Sequence, residues 1–376
     1  MKLIRLWAFA IVIMSVNGCA GFWNPISTTS STVTSTSLSS GYFYMLDSTT
    51  SQVISYEISS GTLTEIGSYA TPSTALAIAV AQDNDFLVVS TISGVYAYTI
   101  SDGELTLDSS AITSDPALAI QIDKNSEWLL ESSGNGYLNA VPVASGTGAL
   151  DSTRTSAQVP LKGSTVNQIA VSPNDKYIFV ASGTSGTQAF AFSASSSDPL
   201  GSESYATIAP VNTSSGAALS VAVDPSTRLL YIGESEAKSS SGGLRAFTIG
   251  SSGALSELSG SPYSSGGTGP HAILPKATGD YVYVANWKGT SSGNITGFAI
   301  DESDSTYSLT ELGTSVATGI EPVGLAEDSD ANFILAASSG GSPCFDAYFF
   351  DTSTAGELDT TITSSSFSVS AIAAQH

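Results

Sequence analysis

One stretch, repeated along the chain, limits the folds open to it. From Val166 to Ser182 the sequence reads VNQIAVSPNDKYIFVAS. Ile169, Ala170 and Val171 make an apolar run. Ser172, Pro173, Asn174 and Asp175 supply turn chemistry, and Tyr177 to Ala181 is aromatic and β-branched. Proline presets φ in a turn and Asn or Asp bonds its own backbone, so the stretch predicts two short strands joined tightly. Aligned on Ile169, the pattern returns at Ile78, Ile120, Val221, Ile273, Leu325 and Ile372, at intervals of 42 to 52 residues.

Each copy continues the same way. The second strands are FLVVS from Phe86, WLLES from Trp128, YIFVA from Tyr177, LLYIG from Leu229, YVYVA from Tyr281 and FILAA from Phe333. Third strands such as VYAYTI from Val95 and LRAFTI from Leu244 follow. A fourth opens after a Gly-x-Leu turn, as at Gly103-Glu104-Leu105 and Gly253-Ala254-Leu255. Four antiparallel strands in roughly 40–50 residues is the signature of a β-propeller blade. The first copy, from Tyr42, lacks its first strand, and the last, from Ser370, has only that strand. Together they make one blade. The expectation is therefore an all-β, seven-bladed β-propeller of four-stranded antiparallel blades over residues 41–376, its ring closed by the C-terminal strand. Alanines near the reference position (Ala79, Ala119, Ala170, Ala222, Ala272, Ala326, Ala373) suit strands that crowd around an axis.

Residues 1–40 read differently. Lys2 and Arg5 precede an apolar run from Leu6 to Val16, about half the length of a spanning helix. The run ends in Ser15-Val16-Asn17-Gly18-Cys19, which looks like a bacterial lipobox. Residues 1–18 are expected to be a lipoprotein signal peptide. Cys19 is the expected lipidation site, and Ser/Thr-rich residues 19–40 form a tether. Ala20, rather than Asp, after the Cys implies by resemblance to lipoprotein sorting an outer-membrane or cell-surface address in the bacterial envelope. Phe22 and Trp23 suit the membrane interface.

The formal net charge is −22, from 11 basic and 33 acidic residues. Such a surface repels phosphate backbones, so no nucleic-acid partner is expected. Two cysteines and two histidines give neither a disulfide framework nor a zinc spacing, and no cofactor or metal is expected. The runs Asp301-Glu302-Ser303-Asp304 and Glu327-Asp328-Ser329-Asp330 carry oxygen ligands of the kind calcium takes but lack its loop pattern, and read as solvated turns. A monomer is expected.

Strands such as YIFVAS and YVYVAN with Gly-x-Leu turns resemble the lactonase-like seven-bladed propellers, which include 6-phosphogluconolactonases and carboxymuconate-lactonising enzymes. The best match is GPHAILPKATGDYVYVANW, from Gly269 to Trp287. Aligned there without gaps, the family's catalytic Arg falls on His271, its His on Ala272, its Asn on Asn286 and its acidic residue on Trp287. The chain thus keeps only the Asn of that set. Lactone opening needs a base for water and a donor for the oxyanion, and guanidinium is the usual clamp for an anionic substrate.

The loops into each first strand and out of each second strand are expected on one face. They carry His271 and Glu321 as a candidate base–carboxylate pair. Asn286, Trp287, Lys288, Asn167, Glu234 and Glu236 are candidate ligand contacts, with Trp287 able to stack a flat ligand. Lys238 belongs to the same loops. Glu131 stands where other copies are apolar, facing the channel or marking a register slip. Two functions stay open. One is a tethered, non-catalytic propeller that binds an unknown small molecule, glycan or envelope protein on its channel face. The other is a lactone hydrolase with a rearranged site.

Overall fold

The computed structural model describes residues 41–376 except 48, 60–61, 164, 202–203, 239–240, 289–290, 304–305, 342–343 and 365–367, and only the backbone of 237–238, 241 and 360–364. The expected signal peptide, Cys19, Phe22, Trp23 and the tether lie outside the described residues, as do Asp304 and the Lys238 side chain.

The described residues form strands and turns in six antiparallel sheets: four of four strands, one of five and one of eight. Sheet 1 runs Val369–Ala374, Gly41–Asp47, Gln52–Ser59, Thr62–Ala70, so the C-terminal strand lies beside the first strand of the described chain. Sheet 2 begins with Ala75–Val80 and Phe86–Thr91, and sheet 3 with Ala117–Ile122 and Trp128–Ser133. Sheet 4 begins with Gln168–Val171 and Tyr177–Ala181, and sheet 5 with Ala218–Val223 and Leu229–Lys238. The eight-stranded sheet has two halves. One opens with Gly269–Pro275 and Tyr281–Lys288, the other with Val316–Glu327 and Phe333–Gly340. They join where Ser292, Asn294 and Ile295 pair with Ile320, Ala317 and Val316.

Apolar cores lie between successive sheets because each second strand is buried on both faces. Tyr44 and Leu46 meet Val80 and Leu87 between sheets 1 and 2. Val88 and Ala97 meet Ile120 and Leu129 between 2 and 3. The series continues through Leu130 with Ile178, Phe179 with Leu230, Tyr231 with Val284, and Tyr283 with Ala336. The last core packs Phe333 and Leu335 against Phe43 and Met45, returning to sheet 1.

Four of the turns between first and second strands share one side-chain cap. Asp123 Oδ1 accepts the Glu127 and Trp128 N–H groups at 2.8 and 2.7 Å. Ser172, Asp224 and Asp328 do the same for the residues four and five positions on. Three residues after each cap the backbone is left-handed, at Ser126, Asp175, Thr227 and Ala331, with φ between 52° and 58°. These caps correct one expectation at one residue: in the acidic run Asp328 is 3 % exposed and its carboxylate serves the backbone, while Ser329 and Asp330 beside it are exposed in the turn. Glu131 does not face the channel. It is buried between sheets 2 and 3 and accepts from Thr113 Oγ1 (3.0 Å) and Asn139 Nδ2 (3.1 Å).

The Gly-x-Leu turns answer an aromatic residue that leads the second strand of the preceding sheet. Gly253 has φ +83°, and a Cβ there would fall 2.6 Å from the Tyr177 ring. The Tyr177 hydroxyl reaches past it to the Ser251 carbonyl at 3.2 Å.

Candidate functional site

The first strands surround a cavity of about 660 Å³. Its wall takes residues from Ala75–Val80, Ala117–Ile122, Gln168–Val171, Ala218–Val223, Gly269–Pro275, Val316–Glu327 and Val369–Ala374. Just before the reference position, most of these strands carry an extra residue. Leu76 is skipped between the Ala75–Thr91 and Ala77–Ser90 pairs, and Leu219 between Ala218–Glu234 and Ser220–Gly233. His271 falls between Pro270–Asn286 and Ala272–Ala285, Val323 between Pro322–Ser338 and Gly324–Ala337, and Ser370 between Ala371–Leu46 and Val369–Asp47. Leu118 lies in a similar shift. Asn167 donates to the Ala181 carbonyl while Gln168 pairs with Ala181, which is the same arrangement. A bulge re-aims one side chain against the strand's alternation. It therefore parts His271 from Ile273: both border the cavity, but Ile273 is buried in the core between sheets and His271 is not.

His271 stacks on Trp287, ring centroids 3.6 Å apart and planes 13° from parallel. The Trp287 indole N–H donates to the Pro322 carbonyl at 2.8 Å, which fixes the ring against the neighbouring strand. Burial pushes the His271 imidazole down to about 4, against an opposing pull from Glu321. The ring is thus neutral at pH 7 and offers a lone pair. Glu321 has a left-handed backbone, φ 56°, and its carboxylate accepts from Ser339 Oγ at 3.2 Å. It reaches His271 through its field.

Most of the remaining candidates hold neighbouring segments in place. Glu234 is 1 % exposed and pairs with Arg245 at 2.8 Å, while its second oxygen accepts the Val211 N–H at 2.8 Å. Arg245 also holds Glu257 (2.7 Å) and the Ala209 carbonyl (2.9 Å). Glu236 accepts from Asn212 Nδ2 and Ser215 Oγ. Asn286 is fully buried and donates to the Ser265 carbonyl at 2.5 Å, and its Oδ1 has no partner. Asn167 Nδ2 donates to the Ala218 carbonyl of the next sheet. Lys288 is exposed at the end of its strand. Gln188, which sequence reasoning did not single out, clasps Lys162 through both its N–H and its carbonyl. Most of these side chains pin the segment arriving from the sheet before, and Asn167 ties onto the sheet after.

The three described arginines are committed: Arg154 to Asp151 and Glu127, Arg228 to Asp224 and Glu302, and Arg245 to Glu234 and Glu257. Among the described residues the cavity wall holds no Arg or Lys, and its acidic members are Glu327, paired with Lys276 at 2.7 Å, and the capping Asp328. No group of three or more His, Cys, Asp or Glu among the described residues is placed to hold a metal ion.

No family model and no curated protein matches the chain. Solved structures do. A Bacteroides fragilis protein provisionally named a 6-phosphogluconolactonase superposes with TM-score 0.69 at 14% identity, over 94% of this chain and 100% of that one. The periplasmic gluconolactonase of Pseudomonas aeruginosa gives 0.68 at 16% identity, over 90% and 99%. A Lactobacillus plantarum protein gives 0.68 at 14%, over 90% and 100%. At these identities the likeness shows a lactonase-like β-propeller fold.

Proposed function

We infer that the chain is a β-propeller that binds an uncharged small molecule in its axial cavity, at the end marked by His271 and Trp287. One observation carries this reading: among the described residues the wall offers the neutral imidazole of His271 and no Arg or Lys, within an acidic protein. A phosphorylated or carboxylate ligand would enter without a counter-charge and against the field of the whole molecule. The propeller in this reading has seven blades, the eight-stranded sheet counting as two, and the strand Val369–Ala374 closes the ring. The succession of cores that returns to sheet 1 supports it.

The tether and Cys19 lipid anchor belong to the same proposal, with the protein held at the bacterial envelope. Gly41, where the described chain starts, lies against Asp328 and Ser329, at the opposite end of the strands from His271.

A second reading is favoured by the state of His271. As a neutral base it could take a proton from water while the oxygen attacks the carbonyl carbon of an uncharged lactone, whose ring C–O bond then opens to a hydroxy acid. Glu321 would favour the imidazolium formed. The oxyanion, however, meets no Arg or Lys among the described residues of the wall, which removes the usual largest contribution to the rate. The lactonase names of the fold neighbours agree with the reading and do not extend to this chain.

A lactone panel and a ligand screen on the full-length protein separate the two. Binding without turnover, lost in the His271→Ala/Trp287→Ala double variant, is the expected result. Turnover that rises through about pH 4, stays level at neutral pH and vanishes in His271→Ala would establish the hydrolase instead. Binding unchanged in the double variant would remove the site.

A further inference from the structure

The bulge residues that line the cavity are Leu76, Leu118, Asn167, His271, Val323 and Ser370. Three are aliphatic, and they are not hidden. Leu118 is 54 % exposed, and Leu76 and Val323 are half-buried. A leucine turned out of a strand by a bulge, rather than into the core beside it, leaves apolar surface in water that a regular strand would bury. Ile92, 59 % exposed, stands on the turn after Phe86–Thr91 at the same end of the strands. In the ring proposed above, Leu76 and Leu118 belong to the second and third sheets and His271 to the sixth blade, so the aliphatic arc stands across the axis from the imidazole. Leu76 and Leu118 adjoin each other, flanked by Ser370 and Asn167, while Val323 stands in the blade next to His271.

Resting on the reading of this cavity as a ligand site, we propose that its ligand is a small uncharged amphiphile. A polar head with a hydrogen-bond donor meets the His271 lone pair beside Trp287, and a short aliphatic chain lies along Leu118 and Leu76. The bulge residues are the specificity determinants, since they alone of each first strand are turned to the mouth by a break in alternation. A sugar would leave Leu118 and Leu76 facing hydroxyls, and a phosphorylated ligand would find no cation.

The probes are γ-alkyl butyrolactams from ethyl to octyl, which carry an N–H and resist hydrolysis, with gluconolactam as the hydrophilic counterpart. They are titrated into the full-length protein by calorimetry. Affinity should climb with each methylene, by up to about fourfold where the group is fully covered. Leu118→Asn should cost the octyl compound about tenfold while leaving the ethyl compound unchanged. Leu118 is exposed, so the substitution does not threaten folding. Affinity that ignores chain length, with gluconolactam bound as well and lost in His271→Ala, would overturn this proposal and leave the cavity a ligand site. Binding of neither series would overturn both. Capture of the octyl compound's site by phosphatidylcholine vesicles, in place of the free lactam, would also overturn it, by making a bilayer lipid the ligand.

Discussion

At the scale of single residues, the turns between first and second strands are saturated with hydrogen bonds, and their cost is concentrated at one position. The caps Asp123, Ser172, Asp224 and Asp328 take up two N–H groups each, so the turn geometry is over-determined. The left-handed residue three places on then follows whatever its side chain prefers. Asp175 tolerates that conformation; Thr227, β-branched at φ 58°, does not. Thr227→Gly keeps the bond from its N–H to the Asp224 carbonyl and removes the Cβ clash. It should stabilise the protein by about 1 kcal/mol, the usual relief for such a residue after glycine's entropy is counted. Denaturant midpoints of the two proteins check it, and an unchanged or lower midpoint would mean that the turn is not strained at Thr227. The sequence shows this turn chemistry openly at Ser172-Pro173-Asn174-Asp175, but it hides the cap, because Asp328 in an acidic run looks like any solvated carboxylate.

At the scale of elements, polar side chains on the second and third strands join one sheet to the backbone that arrives from the sheet before. Gln188 holds Lys162, Asn286 holds Ser265, Arg245 holds Ala209, and Glu234 holds Val211. Glu234→Ala removes the Val211 bond and leaves the Arg245 guanidinium, nine-tenths buried, with the more exposed Glu257 as its one counter-charge beside the Ala209 carbonyl. The loss should be on the order of 3 kcal/mol, read by chemical denaturation, and Glu234→Ala with Arg245→Leu should lose less than the single variant. Lactam binding at the axial cavity should survive both. Binding lost without loss of stability would instead put Glu234 in the site. These roles were not legible beforehand for a physical reason. A residue such as Glu234 repeats with its strand, whereas its partner Val211 lies in a linker of irregular length and sequence that no period predicts. The bulges were hidden likewise. His271 and Ile273 are two apart, so strict alternation sets them on one face, and only the extra residue opposite Ala285 and Asn286 parts them. The strands themselves were plain, since β-branched and aromatic runs recur at near-constant spacing with Gly or Asp turns between them.

At the scale of the whole molecule, the proposed ring rests on the strand Val369–Ala374. Its pairing with Gly41–Asp47 joins residues more than three hundred positions apart, and that closure removes an edge that sheet 1 would otherwise expose. The residues beyond the strand fasten it to the next sheet. The His376 N–H donates to Asn84 Oδ1, the Asn84 amide returns a bond to the His376 carbonyl, both at 2.9 Å, and Gln82 Nε2 meets the imidazole at 2.8 Å. An amide nitrogen can only donate, so the imidazole Nε2 is the acceptor of that bond. Removing residues 369–376 takes away the whole of this strand and leaves Met45 and Phe43 without one wall of their core. The truncated chain should melt far below the intact one or fail to accumulate in soluble form, and calorimetry of purified protein checks it. His376→Ala alone, which keeps the strand, should lower the midpoint only slightly. If the truncated chain melted with the intact one, the succession of sheets would not be a closed ring, and the six bulge residues of the wall would no longer face a common axis. The ligand mouth depends on that convergence, so the same calorimetric result bears on where His271 and Leu118 stand relative to each other.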